Sequence, residues 1–226
     1  RASQNFTKVS KTMGTTLRLT MIITLPAGAG FLLLSGPILR MFYSVGVSEQ
    51  GGPLMAMLGF AVPAVALVAV TNATLQAFGR IDLPLISMFL GAVVKMLGDY
   101  YLIGNPNFGI LGAPISTAVC YWLIALLNLF HIARLSHALP PLGKTVGRPL
   151  AATVGMGAAT YLSHTVLLRV LGTVPGTLLD KLATLVAIAV AAVVYVVLLL
   201  LLRAIEREDV LLLPKGEKIA NLLHLK

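Results

Sequence analysis

Residues 83–103 read LPLISMFLGAVVKMLGDYYLI, a run long and apolar enough to cross a bilayer yet interrupted by Lys95 and Asp99. About 20 mostly apolar residues in a helix span the hydrocarbon core. A charge near the midplane costs about 3 kcal/mol on insertion scales and more by simulation, so such residues face a bundle interior, a partner or a watery cavity. The spacing of four puts Lys95 and Asp99 on one helix face with Met88, Gly91, Ala92 and Gly98. Two readings follow: a membrane protein that moves or binds something polar, or a self-neutralising pair that only holds the helix in place.

Working outward from this run, the whole chain has the composition of a membrane protein. Of its 226 residues 58% are hydrophobic and 11% charged, and the mean hydropathy is +0.92, beyond what a soluble domain covers with polar surface. Six apolar stretches are long enough to span: residues 19–39, 54–78, 83–103, 110–132, 149–168 and 182–202. None alternates in the ten-residue manner of a β-barrel strand, so the expected fold class is an all-α integral membrane protein with six transmembrane helices.

The net charge of +9 invites a nucleic-acid reading, but the Lys and Arg follow alternate loops and no basic patch is interleaved with aromatics. Thirteen fall on the side that holds both termini: Arg1, Lys8, Lys11, Arg18, Arg80, Arg134, Lys144, Arg148, Arg203, Arg207, Lys215, Lys218 and Lys226. Only Arg40, Arg169 and Lys181 fall on the other, and Lys95 lies within the membrane. The positive-inside rule then makes both termini cytoplasmic, which requires an even number of spans. The expected partners are membrane lipid and a polar substrate, with no nucleic acid.

Local signals divide the chain further. Residues 1–18 are polar and helix-compatible, and read as a cytoplasmic connection from a missing upstream helix; the chain is expected to be a fragment. Pro26, with Gly28 and Gly30, interrupts the first span and Pro63 the second, where a lost backbone donor bends or unwinds a helix; both are candidate hinges. Gly79-Arg80-Ile81-Asp82-Leu83-Pro84 reads as a tight turn, with Pro84 in the first turn of the next helix. Asn72 and Gln76, near Thr71 and Thr74, either line a vestibule or hydrogen-bond across helices. Ala151, Gly155 and Ala159 form a small-residue stripe that permits close packing. The last span is apolar all round and is expected at the periphery, followed by an amphipathic cytoplasmic tail over 205–226.

Motifs of soluble chemistry are lacking. Gly143-Lys144-Thr145 has Ala138 where a phosphate-binding loop needs its first glycine, and Gly155-Met156-Gly157 lacks the third glycine of a dinucleotide fingerprint. His131, His137, His164 and His224 have no metal-ligand spacing, and the single Cys120 offers no thiol pair. No enzyme chemistry, catalytic residue, metal or cofactor is expected.

The order of elements resembles a known family. Leu25-Pro26-Ala27-Gly28, Gly36-Pro37-Ile38-Leu39 with Phe42-Tyr43, and Leu75-Gln76-Ala77-Phe78-Gly79-Arg80 before Pro84 carry the likeness. So do Lys95, Pro106, residues 109–117 (GILGAPIST) and residues 209–216 (DVLLLPKG). Together they look like the C-terminal half of polysaccharide flippases of the stage V sporulation protein B type. These lie within the multidrug, oligosaccharidyl-lipid and polysaccharide exporter superfamily, which includes lipid II flippases. The resemblance implies fourteen spanning helices in the bacterial cytoplasmic membrane, of which residues 19–134 supply four helices of the C-terminal lobe and residues 135–204 two trailing helices. A missing N-terminal lobe would form the other wall of a central cavity.

Such families move lipid-linked sugars by alternating access. The resemblance makes Lys95 the partner of an anionic pyrophosphate head group, since a desolvated ammonium attracts phosphate strongly. Lys95, Asp99, Gln76 and Asn72 are the candidate substrate-binding residues, with Pro26 and Pro63 as hinges. Where the family pattern usually has an amide near position 99, Asp99 could neutralise Lys95, bind a coupling cation or take up a proton. A drug or cation exporter of the same fold, and a membrane scaffold without transport, are the alternative functions.

Overall fold

The computed structural model describes residues 2–136, 142–171, 174–202 and 204. The expected tail over 205–226 lies outside the described residues. Among those described, the secondary structure is entirely helical: α1 (Ala2–Phe42), α2 (Val45–Ala77), α3 (Asp82–Ile103), a 3-10 turn (Gly109–Leu111), α4 (Gly112–Ser136), the short α5 (Leu142–Thr145), α6 (Gly147–Leu171) and α7 (Leu178–Leu201).

Five helical segments are long and apolar enough to cross a membrane: Thr12–Phe42, Val45–Ala77, Asp82–Ile103, Gly109–Ser136 and Leu178–Leu201. The fifth expected span forms α6, which at 25 residues is long enough but is not among these five. Arg148, His164 and Arg169, with Thr153, Thr160, Ser163 and Thr165, dilute its apolar character. The first helix begins at Ala2, running through the helix-compatible polar segment ahead of Leu19, which contains no breaker other than Gly14.

Helix α1 packs against α2 and α4 on one side and α6 and α7 on the other. Its Leu17, Met21 and Leu25, spaced by four, pack into a core with Leu67 and Val68 of α2 and Cys120, Ile124 and Ala125 of α4. Its Ile22 and Ala29 face a second core made by Ala152 and Met156 of α6 and Ala191, Tyr195 and Leu199 of α7. Tyr195 Oη donates to the Ile22 carbonyl at 2.7 Å.

Apolar burial drives little association between helices already in lipid, so close approach has to come from small residues. The α1–α2 crossing is built on Gly28 and Gly59: a Cβ at Gly28 would stand 2.5 Å from the Gly59 carbonyl oxygen, and one at Gly59 2.7 Å from that of Gly28. The packed stripe on α6 is Ala152, Met156 and Thr160, all buried, one residue out of register with the expected 151, 155 and 159. Ala151 is exposed, whereas Gly155 does receive α7, since a Cβ there would lie 2.6 Å from Leu198 Cδ1. On α7 the buried positions Ala183, Ala187, Ala191, Tyr195 and Leu199 form one face, and Leu185, Val186, Val193 and Val196 on its other sides are exposed.

The expected turn before α3 ends α2 in a Schellman motif, with Gly79 N–H donating to the Gln76 carbonyl at 2.9 Å and Arg80 N–H to that of Leu75 at 3.0 Å. Gly79 has φ +76°, which favours glycine. Pro84 is the third residue of α3, where no intrahelical donor is required. Helices α3 and α4 then run antiparallel across the 105–109 turn, where Asn107 N–H donates to Asn105 Oδ1 at 3.0 Å.

Gly91 allows that hairpin to close. A Cβ there would stand 2.5 Å from Ile124 Cδ1 and 3.2 Å from Cys120 Sγ. Gly91→Ala is expected to destabilise the protein by about 1–3 kcal/mol through overpacking, read as a lowered unfolding midpoint in detergent. Ile124→Ala, which removes both crowding carbons, should cost less in the Gly91→Ala background than alone; an unchanged midpoint in the single variant would remove Gly91 from this role.

Candidate functional site

Lys95 and Asp99 lie on the face of α3 that meets α4. Lys95 Nζ donates to Asp99 Oδ2 at 3.0 Å and to Thr117 Oγ1 of α4 at 3.0 Å. Thr117 can accept because its own hydroxyl donates one turn back, to the Ala113 carbonyl at 2.8 Å. The second carboxylate oxygen, Asp99 Oδ1, accepts from Ser116 Oγ. Gly98 permits this closeness, since a Cβ there would sit 2.9 Å from Ser116 Cβ.

Both oxygens of Asp99 are thereby engaged, and two of the three ammonium donors of Lys95 are used. The side chains remain 38% and 32% exposed. The geometry realises the first of the three roles considered for Asp99, a neutralising partner for Lys95. Of the expected small-residue stripe, Gly91 and Gly98 pack on α4, whereas Met88 and Ala92 are exposed.

The other candidate residues lie elsewhere. Asn72 Oδ1 accepts from Asn128 Nδ2 of α4 at 2.7 Å, and Asn72 Nδ2 lies 3.7 Å from Met88 Sδ. Asn128 Nδ2 also donates to Thr71 Oγ1 at 3.1 Å. Asn72 is therefore an interhelical tie among α2, α3 and α4, the second of its two expected roles. Gln76 is exposed near the end of α2 and joins neither group.

The expected bends at Pro26 and Pro63 are not where the backbone breaks. The helix stays regular through both, and the non-helical residue inside α1 is Leu34, at φ −114° and ψ 16°. It precedes Pro37 by three residues, where the ring crowds the preceding turn and removes a donor. Pro63 is buried, with its Cδ 3.3 Å from the position of a Cβ at Gly28 of α1.

A second ionic centre escaped the sequence reading, which counted Arg40 and Lys181 only as loop charges. Arg40 Nε donates to Asp180 Oδ2 at 2.8 Å and Nη2 to Oδ1 at 3.3 Å, with side chains 16% and 2% exposed. Gly176 N–H donates to the same carboxylate at 2.9 Å, and Lys181 Nζ to the Met41 carbonyl at 3.3 Å. The available signal was Thr177-x-x-Asp180 at the start of an apolar run, a capping pattern, and Thr177 Oγ1 does accept from Asp180 N–H at 3.4 Å. This centre clamps the start of α7 to the end of α1. Among the described residues no group of three His, Cys, Asp or Glu could hold a metal ion.

Comparison with known proteins places this arrangement. The chain is 25% identical over 207 residues to the protein named "Uncharacterized membrane protein YabM" of Bacillus subtilis (strain 168), a match covering 92% of the chain and 38% of that relative. The chain therefore spans well under half the length of this curated relative. No solved structure matches it. The family model described as "Lipid II flippase MurJ" matches residues 1–207, so the exporter superfamily expected from the motifs holds, while the stage V sporulation protein B type is not the family matched. The chain is a multi-pass membrane protein of a transporter family rather than an enzyme, and it belongs to the lipid II flippase MurJ family.

Proposed function

We propose that the chain forms the C-terminal part of a flippase that carries lipid-linked sugar precursors of the cell envelope across the bacterial cytoplasmic membrane by alternating access. The observation that carries this reading is Lys95: a charged group within a helix apolar enough to span, tied to α4 yet 38% exposed. A fully buried ammonium would serve only the bundle. Lys95 instead has a third donor directed to no partner among the described residues, suited to an anionic phosphate head group.

In this reading Asp99 orients the ammonium between substrates, and a phosphate competes with the carboxylate for it. The loop charges support cytoplasmic termini. An N-terminal lobe, belonging to a longer protein of fourteen spans, would supply the wall opposite α3. Arg40 and Asp180 hold the trailing α6–α7 pair to α1 while the lobes move.

A charge swap tests the assignment. Lys95→Asp combined with Asp99→Lys preserves an i,i+4 pair while moving the cation one turn along α3. The expected result in reconstituted vesicles is normal insertion and stability without recovered translocation of lipid-linked precursor. Recovery of both would make the pair a structural tie.

A further inference from the structure

Farther along the α3–α4 seam from Lys95, two buried oxygens lack partners. Ser87 of α3 and Asn128 of α4 are each 0% exposed, and among the described residues neither Ser87 Oγ nor Asn128 Oδ1 has a hydrogen-bond partner. The antiparallel register brings them level. Asp99 bonds Ser116 and Lys95 bonds Thr117, and Gly91 abuts Cys120 and Ile124. One further turn on each helix reaches Ser87 and Asn128.

The orientation of Asn128 is set by α2. Both hydrogens of its amide are used, towards Thr71 Oγ1 and Asn72 Oδ1, so its carbonyl oxygen points away from those acceptors. Thr71 cannot reverse the arrangement, because its hydroxyl hydrogen goes to the Leu67 carbonyl at 2.7 Å. An acceptor, Asn128 Oδ1, and a hydroxyl, Ser87 Oγ, are thus left at the same level of a closed seam. Buried polar atoms of this kind nearly always have a partner, either protein or ordered water.

We propose that a water molecule binds at this level, donating to Asn128 Oδ1 and bonded to Ser87 Oγ, and so joins α3 to the α2–α4 tie. Two unpartnered oxygens meet the roughly two to four partners that an internal water needs. A calcium-type ion takes about six to eight oxygen ligands, whereas the unpartnered oxygens at this level of the seam, among the described residues, are Ser87 Oγ and Asn128 Oδ1. The site is separate from the Lys95 centre, since Gly91 and Ile124 close the seam between them. The Pro84 end of α3 is consequently held through exchangeable solvent, and its Ile103 end through charge-assisted bonds.

The test is a density map at about 2 Å resolution of the full-length protein in lipid, collected in sodium and in thallium salts. One rounded density about 2.8 Å from both Ser87 Oγ and Asn128 Oδ1 is expected, with no anomalous signal in thallium. Ser87→Ala should lose that density and lower the folded-to-unfolded ratio about two- to tenfold. A direct Ser87–Asn128 bond with no density between them would overturn the proposal, and so would a thallium peak, which would make the ligand a monovalent cation. Should Ser87→Ala fail to insert, the two wild-type maps alone decide.

Discussion

Lys95→Ala, introduced into the full-length protein and reconstituted in vesicles, is expected to lower translocation of lipid-linked precursor by about 10- to 100-fold while leaving abundance and insertion unchanged. The magnitude is that of one charge-assisted hydrogen bond to substrate, about 1.5–3 kcal/mol, at 1.36 kcal/mol per factor of ten. Asp99 loses one partner in this variant but keeps Ser116, so the α3–α4 hairpin should persist. Lys95→Arg retains the charge and should retain part of the flux. Asp99→Asn separates the functions of the pair: if Asp99 only neutralises Lys95, flux survives its removal, whereas equal loss in both variants would mean that the pair serves the bundle. Wild-type flux in Lys95→Ala would sink the substrate role outright.

The largest stability effect is expected at Asp180. Its carboxylate is 2% exposed and receives Arg40 through two hydrogen bonds and the Gly176 amide through a third. Asp180→Ala leaves a nearly buried guanidinium without an anion, a change that costs about 3–5 kcal/mol when one member of a buried pair is deleted. Arg40→Leu combined with Asp180→Leu removes both charges and should recover most of that loss, because an apolar pair carries no uncompensated charge. Denaturant unfolding in detergent micelles measures both. A change below about 1 kcal/mol in Asp180→Ala would show that the ion pair is no stronger than an exposed one.

This clamp also shows where sequence reading stops. Arg40 and Asp180 are 140 positions apart, and each alone looks like a charge at a helix end. Nothing local says that the end of α1 and the start of α7 lie at the same level, since that depends on how α6 and α7 pack back onto Ile22 and Ala29. The one-residue error in the α6 stripe has the same origin. The buried set at 152, 156 and 160 lies one position round the wheel from 151, 155 and 159, while Gly155 still takes Leu198 of α7, and only the docking of α7 decides which of these positions it meets. The misplaced bend in α1 is a different matter: Pro26 and Pro37 both remove a donor, but the backbone departs from helical geometry only at Leu34, ahead of Pro37.

What the sequence determined by itself is what bilayer thickness and helix geometry dictate locally. Hydrophobic length set the spans, turn chemistry placed the Gly79–Pro84 connection, and a spacing of four put Lys95 and Asp99 within reach of each other. The tertiary structure alone decided the partners: Thr117 and Ser116 for that pair, Asn128 for Asn72, and Asp180 for Arg40. The reason is physical. Side-chain position within one helix follows from 3.6 residues per turn, but the rotation and level of one helix against another come from small-residue contacts and buried hydrogen bonds spread over the whole bundle.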